Sequence, residues 1–220
     1  MAVQRRLFAL PEPRRCSVCR APWGRPSPTC WKCDLRRNPL PPAPPDPAAE
    51  AADLARRADA EARLTRLRAL QRPVRVALVG CGKTKLAGEH PARQLYTGAL
   101  TRLSLAYGER IADEAWILSA LYGLVHPDRV LATYDQRLPT RNQERAWWGL
   151  HVRCSLSNAY LELPLHLIVL AGQDYAQPVL ATPMGQAPKA WTAELPLDGL
   201  QLGQRLSWLN HALTDVASPG

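Results

Sequence analysis

From Val74 onward, short apolar runs alternate with longer segments in which apolar side chains recur at helical spacing. The first run, VRVALVG, is almost continuously apolar, which is typical of a parallel strand covered on both faces. Residues 73–220 are therefore predicted to form a three-layer α/β domain, with a mostly parallel sheet and flanking helices. We expect strands at 74–80, 115–121 and 165–172, an edge strand at 191–197, and helices over 97–111, from 140 and from about 198.

The spacing of apolar residues also predicts which helix faces point inward. For the helix over 97–111, capped by Thr97, this face carries Ala99, Leu103, Ala106 and Arg110. Residues 140–143, Thr-Arg-Asn-Gln, have the pattern of a capping box. The helix that follows them carries Trp147, Leu150, Cys154 and Leu161, so Cys154 is expected in the core. The last helix carries Leu202, Leu206, Leu209 and Leu213.

Residues 16–33 read CSVCRAPWGRPSPTCWKC, with two C-x2-C pairs separated by ten residues. Each pair can form a tight turn that points two thiolates at one ion, and two such turns complete a closed tetrahedral zinc site. Trp23 and Trp31 suit either of two roles, covering the zinc site or stacking on a base. The sequence thus predicts a small zinc-ribbon module over residues 1–37, with a structural Zn²⁺ bound by Cys16, Cys19, Cys30 and Cys33.

Two segments connect this module to the α/β domain. Residues 38–47, NPLPPAPPDP, predict a stiff, extended linker. Residues 48–72 are rich in Ala, Leu, Arg and Glu and predict a helix that ends at Pro73. Its thin apolar stripe suits packing on the main domain or pairing with another chain.

The positive charge of the chain is concentrated at its N-terminal end. Residues 1–73 contain 15 Lys and Arg against 7 Asp and Glu, whereas residues 74–220 contain 13 against 12. An excess of positive charge attracts the phosphate backbone of nucleic acids, so DNA or RNA is the expected partner. A codon bias toward Arg, which outnumbers Lys 24 to 4, is the alternative explanation. The candidate contacts are the basic residues in and around the zinc module: Arg14, Arg15, Arg20, Arg25, Lys32, Arg36 and Arg37.

The sequence contains no apolar run of 18 residues, so we expect no membrane span. The apolar piece at residues 7–10 is too short for a signal peptide. A cytoplasmic location is therefore expected, and four of the six cysteines are better explained by metal than by disulfides.

Residues 82–84, Gly-Lys-Thr, look like the end of a phosphate-binding P-loop. The motif G-x-x-x-x-G-K-[ST] needs its first glycine at position 77, where the chain has Ala77. Gly88 and Pro91 follow closely and would break the helix that a P-loop requires. The sequence thus predicts that this turn serves a different kind of pocket.

Polar side chains follow each of the three predicted parallel strands. Right-handed crossovers bring the carboxyl ends of such strands to one edge of a sheet, where ligands bind. We therefore expect Cys81, Lys85, Tyr122 and Asp174 to surround one cavity, as candidate catalytic residues. The further residues expected in this pocket are Lys83, Ser119, Gly123, His126, Asp135 and Tyr175.

The segment LSALYGLVHPDRVLATYDQRL, residues 118–138, resembles the signature of the YaaA-like peroxide-stress proteins, L-S-G-L-Y-G-x-x-R-P-x-D-x-x-x-P-Y. The departures from that signature include His126, Arg129 and Thr133. An uncharacterised bacterial family related to YaaA is more similar, because it shares C-G-x-x-K, L-Y-x-G, I-L-S-A-x-Y-G-L, a later Pro and Y-D, and a final G-x-x-Y. In this chain those motifs include Cys81, Gly82, Lys85, Leu95, Tyr96, Gly98, Pro127, Tyr134, Asp135, Gly172 and Tyr175.

These resemblances carry an implied function. YaaA-like proteins are associated with DNA binding and oxidative damage, which implies nucleic-acid or nucleotide chemistry and a stress response. The C-x3-K of Cys81 and Lys85 resembles an element of archaeosine synthases, which modify a base in tRNA. Residues 172–175, GQDY, resemble the water-activating G-Q-D-P-Y-H motif of uracil-DNA glycosylases.

The leading hypothesis is an enzyme that acts on a base or nucleotide in DNA or RNA, by glycosidic cleavage or base modification. Tyr122 or Tyr175 would stack on the base, and Asp174 or Asp135 would polarise water. Two alternatives are a non-catalytic DNA-binding stress-response protein and a zinc-ribbon adaptor for a protein partner. For Cys81 the simpler alternative is the role of a small, buried apolar residue. For Lys83 and Lys85 it is a solvated position on the surface.

Overall fold

The computed structural model describes residues 47–161, 163–181 and 191–215. The chain divides into two compact units, Met1–Arg57 and Ala58–Gly220, and the second unit contains the sheet. The predicted zinc-ribbon module and the proline-rich segment up to residue 46 lie outside the described residues.

The described elements follow the predicted alternation of strand and helix. The strands are β1 (Val74–Gly80), β2 (Glu89–Pro91), β3 (Glu114–Ser119), β4 (Gly123–Val125), β5 (Val130–Ala132), β6 (Leu165–Leu170) and β7 (Trp191–Glu194). The helices are α1 (Pro47–Arg68), α2 (Ala92–Leu95), α3 (Ala99–Ile111), α4 (Asn142–Tyr160), α5 (Gln173–Leu180) and α6 (Leu202–Asp215).

Five strands form the main sheet in the order β4-β3-β1-β6-β7. Strand β1 pairs in parallel with β3 on one side and β6 on the other, and β7 pairs in parallel with β6. Strand β4 is antiparallel to β3, and β2 and β5 form a separate antiparallel pair. The prediction of an α/β fold with a mostly parallel sheet is thus confirmed, including the edge strand.

The side chains of β1 alternate between two cores, one on each face of the sheet. Val76 and Leu78 pack in the core that includes Trp148 and Leu156 of α4. Ala77 and Val79 pack in the other core, together with residues of α3 and α6. Because every second residue of a strand points to the same face, a continuous apolar run is needed to fill both cores.

The inward face of α3 is not the predicted one. Thr101, Ser104, Leu105 and Gly108 are buried, whereas the expected Ala99, Ala106 and Arg110 are exposed. A Cβ at Gly108 would lie 2.7 Å from that of Ala77, so the glycine lets the helix approach β1 closely. The helix begins after Gly98 without a side-chain cap, which corrects the expected role of Thr97.

The predicted face of α4 is also wrong. The buried residues are Trp148, Gly149, Val152, Leu156 and Tyr160, and the helix begins after Arg141 with no side-chain cap, so the predicted capping box does not form. The predicted core residues Trp147 and Leu161 are 64% and 52% exposed, and Cys154 is exposed. A Cβ at Gly149 would lie 2.0 Å from the carbonyl oxygen of Pro178. This close contact between α4 and α5 determines which face of α4 is buried.

Helix α6 follows its prediction more closely. Leu209 is buried, and Leu206 and Leu213 are partly buried, but Leu202 at the first turn is 63% exposed. Helices α3 and α6 pack together, with the rings of Tyr107 and Trp208 meeting edge to face at 5.2 Å.

A polar network fixes the end of α1 to the sheet. The Arg63 guanidinium donates hydrogen bonds to both carboxylate oxygens of Glu114, the first residue of β3, and to the carbonyl oxygen of Ala159. The Tyr160 hydroxyl donates to Glu114 at 2.7 Å, and the Trp116 indole N–H donates to Tyr160 at 2.7 Å. The C-terminal part of α1 thus packs on the α/β unit, and the helix ends at Arg68, before Pro73.

None of the helices in the described ranges has the length and apolar character needed to cross a membrane.

Candidate functional site

The segment after β1 turns back on itself instead of entering a helix. The Cys81 N–H donates to the carbonyl oxygen of Leu118 at 3.0 Å, which extends the ladder with β3 by one residue. Further along, Lys85 forms an isolated antiparallel bridge with Tyr96. A P-loop would continue directly into a helix, so this local geometry belongs to a different kind of turn.

Ser119, the last residue of β3, holds the next turn in place. Its Oγ accepts the backbone N–H of Leu121 at 3.3 Å and that of Tyr122 at 3.0 Å, and it lies 2.8 Å from the Tyr134 hydroxyl. The Trp148 indole donates to the Ser119 carbonyl at 3.0 Å. Ser119 is fully buried, so it organises the turn and does not offer its hydroxyl to a ligand.

The first turn of α5 brings the third strand exit to the same place. The Tyr175 hydroxyl oxygen lies 3.2 Å from Cys81 Sγ, and the Tyr175 ring meets that of Trp148 edge to face at 5.4 Å. Asp174 accepts a hydrogen bond from Arg145 of α4 at 2.9 Å. The exits of β1 and β6 therefore converge, as parallel topology requires.

A cleft of about 400 Å³ opens at this edge of the sheet. It is lined mainly by polar and charged side chains from the exits of β1 and β6, from the segment between β5 and α4, and from α4 itself. The lining residues are Cys81, Gly82, Lys83, Lys85, Asp135, Gln136, Arg137, Leu138, Thr140, Arg145, Asp174 and Tyr175. Its four basic side chains outnumber its two carboxylates.

The ten residues expected at the pocket divide into six that line the cleft and four that do not. The six lining residues are Cys81, Lys83, Lys85, Asp135, Asp174 and Tyr175. Tyr122 packs edge to face against Tyr134 at 5.4 Å, and His126 lies 5.4 Å from the Trp116 ring. Gly123 has a positive φ of 68°, and a Cβ there would lie 2.7 Å from His151, so its role is in the turn.

Burial sets the protonation of two phenols beside the cleft. It raises the pKa of the Tyr134 and Tyr175 hydroxyls far above the ordinary tyrosine value, and the nearby Cys81 adds to the rise. Both phenols therefore stay protonated near neutral pH. Tyr175 can then donate a hydrogen bond to the Cys81 sulfur, but it cannot act as a general base.

Sequence reasoning missed Arg137 and Arg145 as lining residues, and gave Tyr134 no role at the site. Arg137 lies in the segment before α4, and Arg145 lies one turn into that helix. Neither follows one of the three predicted parallel strands, so the rule about strand exits could not find them. The excess of Arg between residues 129 and 145 was the available signal.

The predicted zinc ligands Cys16, Cys19, Cys30 and Cys33 lie outside the described residues. So do the candidate nucleic-acid contacts Arg14, Arg15, Arg20, Arg25, Lys32, Arg36 and Arg37. Within residues 47–161, 163–181 and 191–215, no group of three or more His, Cys, Asp and Glu side chains could hold a metal ion.

The fold and the cleft together define an α/β protein with a mostly parallel sheet and a polar, predominantly basic cleft at the carboxyl edge. The chain belongs to a family of unknown function, DUF6884, whose model matches residues 76–211. That match runs from β1 into α6 and contains every residue that lines the cleft. No curated protein and no solved structure matches the chain. The resemblance to YaaA-like proteins stays a prediction.

Proposed function

We propose that the chain is a nucleic-acid-associated enzyme that holds a nucleotide unit of DNA or RNA in the cleft and acts on its base, by glycosidic cleavage or base modification. One observation carries the proposal. Lys83, Lys85 and Arg137 line the cleft, and none of them forms an ion pair with a carboxylate among the described residues. Basic groups left without partners at a cleft attract phosphate.

The size of the cleft agrees with such a ligand. Pockets for small molecules and cofactors enclose roughly 300–1,000 Å³, and this cleft encloses about 400 Å³. Lys83 and Lys85 would bind phosphate, and the base would lie toward Cys81 and Tyr175 deeper in the sheet edge. Tyr175 is the aromatic side chain available for contact with the base, because Tyr122 does not line the cleft.

The two carboxylates of the cleft differ in their surroundings. Asp174 is paired with Arg145, and its side chain is 70% exposed. Asp135 forms no ion pair within the described part of the chain and would be the group that polarises water. In glycosidic cleavage, water would add its hydroxyl to the sugar C1′ while the C1′–N bond breaks, and the base would leave with the remaining proton.

The N-terminal residues would supply backbone contacts, which position a nucleic acid without reading its sequence. The support for this part of the proposal is the excess of basic residues over residues 1–73. A zinc ion bound by Cys16, Cys19, Cys30 and Cys33 would hold that module folded.

A non-catalytic DNA-binding protein of the stress response is the second candidate. The observation that favours it is the exposure of both cleft carboxylates, since a general acid or base usually needs a buried environment to tune its pKa.

The test compares binding and chemistry in the same protein. Fluorescence anisotropy with labelled single-stranded DNA, duplex DNA and RNA oligonucleotides should show binding that Lys83→Ala and Lys85→Ala each weaken. Arg110→Ala is the control, because Arg110 lies at the far end of α3 and donates to the Leu213 carbonyl. Mass spectrometry of the incubated oligonucleotides should detect a released or altered base, and the change should disappear in Cys81→Ser. Absence of binding by the unmodified protein would overturn the proposal, and binding without any chemical change would favour the second candidate.

Deleting residues 1–47 tests the N-terminal contribution. The truncated protein should bind the same oligonucleotides more weakly and with a shallower dependence on salt, because fewer phosphate contacts release fewer counterions. Unchanged affinity and slope would contradict the assignment of backbone contacts to this region.

A further inference from the structure

Lys85 occupies an aromatic corner at the cleft. Its Nζ lies 4.3 Å from the ring centroid of Tyr134 and 5.8 Å from that of Tyr96. The two rings are nearly perpendicular, at 83°, with centroids 6.5 Å apart. The other polar contact of the ammonium group in the described structure is the Lys83 carbonyl oxygen at 3.5 Å. The lysine is thus held mainly by ring faces and not by a carboxylate.

The Tyr134 ring is itself fixed by a chain of hydroxyl groups. Ser119 Oγ accepts two backbone N–H groups, so its lone pairs are occupied and its own hydrogen is directed to the Tyr134 oxygen, 2.8 Å away. The Tyr134 hydrogen is then directed to the Tyr96 oxygen at 2.8 Å. The chain therefore has one direction, from Ser119 through Tyr134 to Tyr96.

The Tyr122 ring adds a contact from a different direction. It meets Tyr134 edge to face at 5.4 Å. Tyr134 is thereby held at its hydroxyl by Ser119 and Tyr96 and at its ring by Tyr122. A ring restrained at these points presents the same face to Lys85 in every molecule, which is what positioning requires.

We propose that Tyr134 is a positioning residue that holds Lys85 at the cleft so that its ammonium group binds a phosphate group of the ligand. This inference rests on the proposed function and assigns the part of the ligand that Lys85 contacts. A ring face attracts a cation without accepting any of its N–H groups as a hydrogen-bonding carboxylate would. One N–H of Lys85 is directed at the Lys83 carbonyl oxygen, at 3.5 Å, so two N–H donors stay available to phosphate oxygens, and the positive charge is not cancelled.

Lys83 provides an internal comparison. It lines the same cleft and is exposed, and it has no aromatic ring beneath it in the described structure. Both lysines add one charge to the cleft, but only Lys85 is restrained. Loss of the ring should therefore affect Lys85 alone.

The first measurement is the NMR spectrum of protein labelled with ¹³C at the lysine Cε positions, which contains four lysine signals. Lys85→Arg assigns its signal by removal. In the free, unmodified protein the Lys85 Hε protons should be shifted upfield of those of Lys83 by the ring current of Tyr134. The shift should persist in Tyr134→Phe, which keeps the ring, and become much smaller in Tyr134→Leu, in which the more distant Tyr96 ring remains. An unshifted Lys85 signal in the unmodified protein would overturn the inference without needing any variant to fold.

The second measurement is the affinity for inorganic phosphate and for the labelled oligonucleotides. Tyr134→Leu should weaken binding roughly three- to tenfold, as expected for loss of a cation–π contact at a partly exposed site. Tyr134→Phe should bind within about twofold of the unmodified protein, because the ring face remains. Equal affinity in Tyr134→Leu and the unmodified protein would overturn the positioning role. Failure of the proposed function would look different, since the unmodified protein itself would then bind neither probe.

Discussion

The Cys81 sulfur and the Tyr175 hydroxyl lie 3.2 Å apart in the cleft, although they follow different strands of the sheet. They meet because β1 and β6 are parallel neighbours, so that the turn after one strand and the first turn of the helix after the other share an edge. The thiol thus has a protonated phenol as its immediate neighbour.

This contact predicts a dependence of thiol reactivity on Tyr175. Iodoacetamide reacts with a cysteine in its anionic form, and the Tyr175 hydroxyl is the hydrogen-bond partner next to the Cys81 sulfur, so Tyr175→Phe should slow alkylation of Cys81 several-fold at pH 8. Peptide mass spectrometry would measure the rate. Cys154, exposed on α4, is the internal control, and its rate should not change. Equal rates at Cys81 in the two proteins would mean that the phenol does not act as a donor to the sulfur.

The contact between α4 and α5 predicts a large effect at Gly149. A Cβ there would overlap the Pro178 carbonyl, at 2.0 Å, so Gly149→Ala should lower the free energy of unfolding by about 1–3 kcal/mol through overpacking. Gly203→Ala is the matched control, because a Cβ at that position in α6 has no heavy atom within 4 Å. It should leave stability unchanged or raise it by up to about 1 kcal/mol. Urea unfolding of both variants would measure these changes in stability. Similar midpoints for the two variants would contradict the close packing at Gly149.

Asp113 predicts a defined dependence of stability on pH. Hydrogen bonds from the Arg72 side chain and the Arg75 backbone N–H hold the pKa of this carboxyl below its ordinary value. A lowered pKa in the folded state contributes stability above the unfolded-state value, near 3.9, and that contribution is lost as pH falls through the folded-state pKa. Asp113→Asn should therefore be less stable than the unmodified protein at pH 7, with the difference shrinking below about pH 4.

Urea midpoints at several pH values would measure this difference. Asp59→Asn is the control, because Asp59 is exposed on α1 and has no ion pair in the described structure. If the difference in urea midpoint between Asp113→Asn and the unmodified protein stayed constant from pH 7 to pH 3, the proposed link between the Asp113 pKa and stability would be ruled out.

The paired cysteines of the N-terminal region predict one Zn²⁺ per chain. Elemental analysis of protein purified under reducing conditions should find close to one equivalent, and Cys30→Ser should lose the metal because a structural site needs all four ligands. The α/β domain of that variant should unfold at the same urea midpoint as in the unmodified protein. Cys154→Ser is the control and should keep its zinc. A protein without zinc, or a disulfide between any of these four cysteines, would refute the assignment.

The sheet could be predicted because its signal is local. Each of the three long apolar runs became a parallel strand within two residues of its expected ends, and parallel pairing alone placed Lys85 and Asp174 at one cleft. The helix faces could not be predicted in the same way. In α4, Trp147 and Trp148 begin two equally regular apolar series, and what separates them is the contact of Gly149 with Pro178.

The contacts that hold the residues around the cleft in place could not be predicted from the sequence, for a similar reason. Tyr134 follows the short strand β5, and its role depends on three partners, Ser119, Tyr96 and Lys85, that come from other parts of the chain. Nothing in the local pattern around residue 134 encodes those distances.

The position of β1 at the centre of the sheet also has a consequence for biosynthesis. This strand is made first among the sheet strands, yet one of its two hydrogen-bonded edges is completed only by β6, which begins at Leu165. Until then the nascent chain carries an apolar strand with an open edge, the kind of segment that chaperones bind and that associates with other chains. Pairing over such a long stretch of chain is also slow. The domain thus completes its fold late, when most of it has been synthesised.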